Sequence, residues 1–234
     1  GVDYMSYRVL LVEDEAAIRK FVKINLEKEG YLVSDFPSAE EALEACRTQS
    51  FEIAVLDIML EKMDGVTLLK ILREVYPHMA IIMLTAKSED IDKINAFESG
   101  ADDYLSKPFN PKELILRIKS ISRRLITDNK REENEIVLGK FRIDLNLKDF
   151  YVDGNLIELT PTEFGIIKYL IENANTLVKR KDIVKTVWGY DYLMDTKLVD
   201  VNISRLRKKI EKDPSNPEHL KTIWGEGFTF EYKE

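Results

Sequence analysis

Five side chains with acidic, hydroxyl or amine groups each end a short apolar run in the first half of the chain. Asp57 ends one run, Glu13 and Asp14 end another, and Thr85 and Lys107 end two more. Short runs rich in branched apolar residues are typical of strands buried on both faces. The carboxyl ends of parallel strands meet at one edge of a sheet, where ligands bind. We therefore expect these five side chains to lie close together.

This set of residues suits phosphoryl chemistry. Crowded carboxylates raise one another's pKa unless a cation neutralises them, and Mg²⁺ prefers such oxygen ligands and also binds phosphate oxygens. Asp57 can act as a nucleophile toward phosphorus, with Lys107 and Thr85 holding the phosphoryl oxygens. Each residue also has an ordinary alternative as a helix cap, a turn hydroxyl or a solvated charge. Their combination at successive strand ends favours the phosphoryl site.

The elements that must position these side chains alternate between strand and helix five times. The predicted strands are 8–14, 31–36, 51–57, 80–85 and 101–106. Each is followed by a helical pattern, including one that starts with a Ser38 to Glu41 capping box, one from Ser88 to Gly100, and one opened by Asn110 and Pro111. This alternation predicts an α/β doubly wound, five-stranded parallel sheet of the flavodoxin-like type.

The whole-chain composition excludes several classes of protein. The net charge of -7 argues against binding nucleic acid or membranes over the whole surface, although it can hide a local basic patch. Cys46 is the only cysteine, so no disulfide forms within the chain, and we expect it to be a small core residue. Two distant histidines disfavour a zinc site, and no apolar stretch approaches the ~20 residues of a membrane span. We expect a cytoplasmic protein with no membrane partner.

The second half begins after a charged stretch without periodicity. Residues 125–135 are typical of a linker, which divides the chain into domains at 7–124 and 136–234. Short alternating runs then predict strands at 136–139, 141–145, 149–152 and 155–159, and the pair Asp153-Gly154 indicates a hairpin. Helices are predicted from a Thr160 cap, near 180–188 and near 196–211, followed by a closing hairpin around 225–227.

The third of these helices has two different faces. Its core stripe is Val199, Ile203, Leu206 and Ile210. Its opposite face presents Lys197, Val201, Ser204, Arg205 and Lys208. A basic helix face is often only solvated, but residues 179–212 hold 10 Lys or Arg against 5 Asp or Glu, and an exposed Val201 suits a thymine methyl group in a major groove. Strands, three helices and a terminal hairpin of this kind predict an α+β winged helix-turn-helix domain.

Four motifs give the first half a resemblance to the receiver domain of bacterial two-component response regulators. They are Val-Glu-Asp-Glu, Val-Leu-Asp-Ile-Met-Leu, Leu-Thr-Ala and Ser-Lys-Pro-Phe. The resemblance implies that a sensor histidine kinase phosphorylates Asp57, with Mg²⁺ held by Glu13, Asp14, Asp57 and the backbone carbonyl of Met59. It also implies a cis bond before Pro108 and a conformational switch formed by Thr85 and Tyr104, although a half-buried sheet aromatic would be an ordinary explanation for Tyr104.

The resemblance extends to a dimer and contains one departure. In the OmpR/PhoB type, matching positions pair across a two-fold dimer, which here would pair Lys93 with Glu113, Glu98 with Lys119, and Asp103 with Arg117. We expect phosphorylation to build this dimer. Asp102 and Arg124 complete this mixed-charge surface, which is self-complementary as a two-fold interface requires.

Relatives usually read Leu-Pro-Gly-Met-Asp-Gly where this chain has Leu60 to Gly65 without the proline. We expect that loss to loosen the loop beside Asp57.

The second half is similar to the effector domain of the same OmpR/PhoB type. The motifs are Leu-Thr-Pro-Thr-Glu-Phe, Val-Trp-Gly-Tyr-Asp, Val-Asp-Val-Asn-Ile-Ser-Arg-Leu-Arg-Lys-Lys-Ile and Gly-Glu-Gly-Phe. They imply contacts to double-stranded DNA from Lys197, Asn202, Ser204, Arg205 and Arg207, and a loop at 189–195 that can touch RNA polymerase. The family's wing commonly has arginines where this chain has Trp224 and Thr229, which predicts fewer phosphate contacts than in a typical relative.

The sequence therefore predicts a phosphorylation-controlled transcription factor rather than an enzyme. Its receivers would dimerise when phosphorylated, and two winged helices would bind tandem DNA half-sites. Two other classes stay open at this point. A phosphatase with an aspartate nucleophile would use the same carboxylate and Mg²⁺, and a phospho-switched protein-interaction module would lack specific DNA binding.

Overall fold

The computed structural model describes residues 6–86, 98–125, 134–189 and 196–233, with the side chain of Arg124 outside this description. The chain divides after Ser122 into two compact units. Within the described ranges, no helix has the length and apolar character needed to cross a membrane. Residues 88–97 of the helix predicted from Ser88 to Gly100 lie outside the described residues, and so does Lys93. The centre of the linker and residues 190–195 of the loop predicted at 189–195 also lie outside them.

The first unit is a five-stranded parallel sheet in the order β2-β1-β3-β4-β5. Its strands are β1 (Arg8–Val12), β2 (Leu32–Phe36), β3 (Ile53–Asp57), β4 (Ala80–Ala86) and β5 (Asp103–Lys107). Its helices are α1 (Ala16–Lys28), α2 (Ala39–Cys46), α3 (Gly65–Val75) and α4 (Pro111–Leu125). This order confirms the predicted flavodoxin-like class, because β1 and β3 are neighbours and the strand order reverses between them.

The apolar runs form the core of this unit, as their composition requires. All five residues of β3 are buried, and Val9 to Val12 of β1 are fully buried. The helices begin where capping residues predict, since the side chains of Ser38 and Asp64 accept hydrogen bonds from Glu41 N and Thr67 N. Cys46 ends α2 and is buried, as expected for a core residue. Three strands are shorter than predicted: β1 ends at Val12 instead of residue 14, β2 begins at Leu32 instead of residue 31, and β3 begins at Ile53 instead of residue 51. Strand β5 has the range 103–107 instead of 101–106.

The second unit contains two antiparallel sheets and three described helices. One sheet runs β6-β7-β8-β9 and the other β10-β12-β11. Its strands are β6 (Glu135–Leu138), β7 (Phe141–Asp144), β8 (Asp149–Val152), β9 (Asn155–Ile157), β10 (Val178–Lys179), β11 (Leu220–Ile223) and β12 (Gly227–Phe230). Its helices are α5 (Pro161–Glu172), α6 (Arg180–Trp188) and α7 (Lys197–Ile210). The winged helix-turn-helix prediction is confirmed, with β11 and β12 forming the wing.

Local signals account for most of these boundaries. Thr160 and Glu163 form the predicted capping box at the start of α5, and Asp153 and Gly154 both adopt positive φ between β8 and β9. Strand β10 was not predicted, because two residues carry no alternation and depend on pairing with β12. That pairing is close, since a Cβ on Gly227 would lie 2.1 Å from the carbonyl oxygen of Val178.

Candidate functional site

The carboxyl ends of β1 and β3 bring three acids together. Glu13, Asp14 and Asp57 each place a carboxylate oxygen within 4.8 Å of the others. Glu13 is 0% exposed and Asp57 is 3% exposed, while Asp14 is partly exposed. Hard oxygen donors at this spacing suit a magnesium ion, so the residues present fit the cation that the sequence implies.

Lys107 reaches into this cluster from the end of β5. Its Nζ lies 2.5 Å from Asp57 Oδ2 and 2.6 Å from Glu13 Oε2. The peptide bond between Lys107 and Pro108 is cis, as the family resemblance implies. The single ammonium group therefore bridges the two most buried carboxylates, and hydrogen bonds to both acids raise the pKa of Lys107 against the opposing effect of burial.

The electrostatics of the cluster favour added positive charge. Burial raises the pKa of Glu13 to about 7, and the neighbouring Asp57 adds to this, although the hydrogen bond from Lys107 opposes it. Backbone groups hold the side chain in place, because Glu15 N donates to Glu13 Oε1 at 3.1 Å. Arg19 does not neutralise the acids, since it donates instead to the backbone oxygens of Glu13 and Asp14.

The loop after β3 orients Asp57 through its backbone. Met59 N donates to Asp57 Oδ1 at 3.0 Å. A Cβ on Gly65 would lie 1.9 Å from the carbonyl oxygen of Asp57, so the first residue of α3 must be glycine for the helix to approach the strand end. The motif from Leu60 to Gly65 did not indicate this requirement, because it depends on a close backbone approach between two elements.

The loop after β3 departs from the family's Leu-Pro-Gly-Met-Asp-Gly pattern at Lys62. Lys62, at the position where relatives usually have glycine, adopts φ of 61°. Few non-glycine residues take this left-handed conformation without cost. The loop is also tied to α2, because Met63 N donates to Glu40 Oε1 at 3.3 Å.

The predicted switch residues share one region of the sheet with a third hydroxyl. Thr85 is buried, and its Oγ1 lies 3.5 Å from Ser106 Oγ. Thr85 pairs with Ser106 and Met83 with Tyr104 in the register of β4 and β5. Residues two apart on a strand point to the same face, so Thr85, Ser106 and the partly buried Tyr104 lie on one face of the sheet. The Ser-Lys-Pro-Phe motif contained Ser106, but its position against Thr85 could only be read from the register.

Several residues predicted for a dimer surface are engaged within one chain. Asp102 is fully buried, accepts Ile81 N at 2.8 Å and pairs with Arg73 at 2.8 Å, so its assignment to a surface was wrong. Asp103 is buried and pairs with Arg117 at 2.7 Å within the same chain. The other contacts are Arg117 with Glu113 at 2.7 Å and Lys119 with Glu29 at 2.5 Å. Glu98 is exposed, whereas Lys93 and the side chain of Arg124 lie outside the described residues.

The residues predicted to contact DNA separate into two groups on α7. Lys197, Ser204 and Lys208 are exposed and Val201 is partly exposed, as predicted. Asn202 is 0% exposed and donates to the carbonyl oxygen of Leu198 at 2.9 Å, so the prediction that it reads a base is wrong for this structure. The reason is that position 202 lies on the core side of the helix, beside the buried Leu198 and Leu206.

Two arginines of α7 face inward rather than toward solvent. Arg205 Nη2 lies 2.8 Å from Glu163 Oε1, with the arginine side chain 10% exposed. Arg207 donates to Leu220 O at 2.8 Å and to Thr222 Oγ1 at 2.8 Å, which joins α7 to the wing strand β11, and burial lowers its pKa. Both arginines therefore have internal partners in this structure, and their contacts to DNA stay a prediction.

The wing carries an exposed aromatic side chain. Trp224 lies between β11 and β12 and is 91% exposed, whereas Thr229 is buried on β12. Of the two wing positions that differ from the family pattern, only Trp224 can therefore contact a ligand directly.

Comparisons with known proteins match both units. Residues 9–119 match the family model of the response regulator receiver domain, and residues 154–230 match that of the transcriptional regulatory protein C terminal domain. The chain is 39% identical to the alkaline phosphatase synthesis transcriptional regulatory protein PhoP of Bacillus subtilis, with 97% of this chain and 98% of PhoP covered. It is 35% identical to the transcriptional regulatory protein SrrA of Staphylococcus aureus, with 98% and 97% covered.

A solved structure is similar to this chain over almost its whole length. The response regulator DrrB of Thermotoga maritima, an OmpR/PhoB homologue, is 34% identical, with a TM-score of 0.53 over 97% of this chain and all of DrrB. The acidic pocket of Glu13, Asp14 and Asp57 is typical of the magnesium-binding phosphorylation site of receiver domains. The family consists of transcription factors rather than enzymes, which removes the phosphatase alternative. The chain therefore belongs to the OmpR/PhoB-type response regulators of two-component systems, with a receiver domain and a winged-helix DNA-binding domain that acts in transcriptional regulation.

Proposed function

We propose that a sensor histidine kinase phosphorylates Asp57 and that this modification controls DNA binding. The observation that carries the proposal is the contact of Lys107 Nζ with both Asp57 and Glu13, at 2.5 and 2.6 Å, in a cluster of three acids. A nucleophilic carboxylate, a bridging ammonium group and a set of oxygen ligands are the groups that phosphoryl transfer needs.

In the transfer step, one oxygen of Asp57 attacks phosphorus while the phosphorus–nitrogen bond to the kinase histidine breaks. Met59 N holds Asp57 Oδ1, which fixes the plane of the carboxylate before the attack. Lys107 neutralises negative charge at Oδ2 and can follow that charge onto a phosphoryl oxygen. Glu13, Asp14, Asp57 and the carbonyl oxygen of Met59 would hold Mg²⁺, which neutralises the acids and binds a phosphoryl oxygen when present.

The signal would leave the site through Thr85. Its hydroxyl turns from Ser106 toward the new phosphoryl group, and Tyr104 moves into the space behind it on the same face of the sheet. Dimerisation then requires Arg117 and Lys119 to exchange the intrachain partners Asp103, Glu113 and Glu29 for residues of a second receiver. The pair of Lys119 with Glu29 is exposed, so exchanging it has a small net cost, of the order of 0–1 kcal/mol. The pair of Arg117 with Asp103 is buried, so giving it up costs more unless the new partner is equally well placed.

In the effector unit, α7 enters the major groove of double-stranded DNA with its exposed face of Lys197, Val201, Ser204 and Lys208. Two copies bind tandem half-sites, and the loop at 189–195 contacts RNA polymerase. Residues 7–124 act as the phosphorylated domain, 125–135 as the linker and 136–234 as the DNA-binding domain. Because DNA is the target, the protein would act in the cytoplasm.

The direct test of the phosphorylation step uses mass spectrometry of the full chain after incubation with Mg²⁺ and a small phosphodonor. We expect one added phosphoryl group, located at Asp57 and absent from Asp57→Asn. Light scattering of the same samples should then show a dimer mass only for the phosphorylated wild type. A phosphoryl group on another residue contradicts the site, and a monomer mass after phosphorylation of Asp57 contradicts the dimer.

A further inference from the structure

Arg19 of α1 joins the loop that follows β1 to the neighbouring strand β2. Its Nη1 donates to the backbone oxygen of Glu13 at 2.7 Å and to that of Asp14 at 3.3 Å. Its Nε donates to Asp35 Oδ2 at 3.2 Å. One guanidinium group therefore holds two consecutive carbonyl groups of the loop and ties them to a residue of the sheet.

The two carbonyl groups belong to the two peptide planes on either side of the Asp14 Cα. A peptide unit is planar and rigid, so only the two backbone dihedral angles at Asp14 relate one plane to the other. Because one nitrogen binds the oxygens of both planes, it restricts these angles and thereby the direction of the Asp14 side chain.

The other two acids of the cluster are held by their own carboxylates. Glu13 Oε1 accepts Glu15 N at 3.1 Å, and Asp57 Oδ1 accepts Met59 N at 3.0 Å. In the ranges that the structure describes, no hydrogen bond holds the carboxylate of Asp14. The approach of the Asp14 carboxylate to the other two therefore depends on its backbone, which Arg19 holds.

Asp35 keeps Arg19 in this position. The side chains of Arg19 and Asp35 are 17% and 25% exposed, and Asp35 Oδ1 also accepts Lys23 Nζ at 2.7 Å. Arg19 and Lys23 lie four residues apart, on one face of α1. Burial acts to raise the pKa of Asp35, but hydrogen bonds and charges of Lys23 and Arg19 lower it. The anchor of Arg19 is thus an ionised carboxylate on a strand.

We propose that Arg19 is a positioning residue for the magnesium site, which directs Asp14 toward the cation, and that Asp35 acts through Arg19. This inference rests on the proposed function of Glu13, Asp14 and Asp57 as ligands of Mg²⁺. Arg19 binds backbone oxygens rather than the metal ion. Removing groups that orient metal ligands in this way typically weakens metal binding by about 10- to 100-fold.

The test is calorimetric titration of Mg²⁺ into the full unphosphorylated chain and into Arg19→Gln. By electrostatics alone, removing a positive charge beside the site would strengthen the binding of Mg²⁺, because like charges repel. Loss of positioning has the opposite sign, and we expect the dissociation constant to rise by roughly tenfold. An unchanged or smaller dissociation constant in Arg19→Gln overturns the proposal. A purely structural role gives that same result, because it lowers stability while the folded molecules keep their affinity.

Lys23→Gln is the matched control. It makes the same change in net charge beside the same Asp35, but Lys23 contacts Glu27 and Asp35 rather than the loop carbonyls. We expect this variant to bind Mg²⁺ as the wild type does. A dissociation constant raised as much as in Arg19→Gln would assign the effect to charge and overturn the proposal.

A second variant keeps the proposal testable where Arg19→Gln does not fold. Asp35→Asn combined with Lys23→Gln leaves the net charge unchanged and removes the ion pair that anchors Arg19. The dissociation constant should rise by less than about tenfold, because asparagine can still accept Arg19 Nε. Wild-type affinity in this folded variant overturns the role of Asp35. Absence of Mg²⁺ binding to the wild type overturns the proposed function of the three acids instead, so the two failures are distinct.

Discussion

Lys107 Nζ lies 2.5 Å from Asp57 Oδ2, so a cation already contacts the proposed phosphoacceptor before any phosphoryl group arrives. The same nitrogen lies 2.6 Å from Glu13, which is fully buried. The site thus contains one ammonium group against three carboxylates, and its net negative charge is a reason for it to bind a further cation.

The charge balance of this site predicts the effect of Lys107→Gln. Removing one partner of a buried ion pair costs about 3 kcal/mol, the lower end of the range for such pairs. We expect this loss in the free energy of unfolding with a chelator present at pH 8, and a smaller loss with Mg²⁺, because the metal ion replaces the missing charge. Denaturant unfolding measures both values. Lys112→Gln, an exposed lysine of α4, is the control and should leave the stability and its magnesium dependence unchanged.

The raised pKa of Glu13 predicts a pH dependence of magnesium binding. Burial raises this pKa from 4.5 to about 7, so the folded protein holds a proton that the unfolded chain releases. Glu13 therefore favours the fold at pH below 4.5, and this contribution is lost as pH rises to about 7. The proton also competes with Mg²⁺ for Glu13. The dissociation constant for Mg²⁺ should therefore be roughly tenfold larger at pH 6 than at pH 8.

Calorimetric titration of Mg²⁺ at the two pH values measures that difference. In Glu13→Gln the affinity should be lower, and its change between pH 6 and pH 8 should disappear, since glutamine does not titrate. An unchanged tenfold difference in the variant would assign the proton to another group.

The approach of α3 to β3 predicts a steric effect at Gly65. A Cβ there would lie 1.9 Å from the carbonyl oxygen of Asp57, so Gly65→Ala must displace the backbone of the phosphoacceptor. We expect a loss of about 1–3 kcal/mol in unfolding free energy, the usual cost of overpacking, together with slower phosphorylation. Gly154→Ala is the control that measures backbone strain without a steric clash, because Gly154 has φ of 77° but open space around it. The Gly154 variant should lose stability without changing the phosphorylation rate.

The division of basic residues on α7 predicts a weak salt dependence of DNA binding. Arg205, Arg207 and Lys209 have internal partners, and Trp224 and Thr229 stand where relatives commonly have wing arginines. With about 0.9 per phosphate contact, we expect a plot of log affinity against log salt concentration to be shallower than about −6. A steeper slope would show that the inward-facing cations leave their partners when DNA binds.

Sequence patterns predicted the order of the described elements apart from β10, and the meeting of the acids with Lys107. These features depend on local rules, namely apolar runs, capping residues and the common edge at which parallel strands end. The same rules located the core stripe of α7, in which Val199, Ile203 and Leu206 are buried.

The features that were not predicted depend on partners distant in the sequence. Lys209 and Glu163 are 46 residues apart, and no local pattern indicates which lysine of a basic run faces a buried acid. Likewise, Asp102 appeared as part of a charged surface, but Arg73 and Ile81 N enclose its carboxylate. The close approach of Gly65 to the carbonyl oxygen of Asp57 and the pairing of Ser106 with Thr85 likewise depend on how α3 and β4 pack against distant parts of the chain.

Phosphorylation of Asp57 is proposed here to control specific DNA binding. The most direct measurement selects genomic fragments with the full chain, with and without Mg²⁺ and a phosphodonor, in parallel with Asp57→Ala. We predict enrichment of repeats spaced about one helical turn apart, stronger after phosphorylation and absent in the variant. Equal enrichment in all samples would contradict control by Asp57, and absence of enrichment in every sample would contradict specific DNA binding.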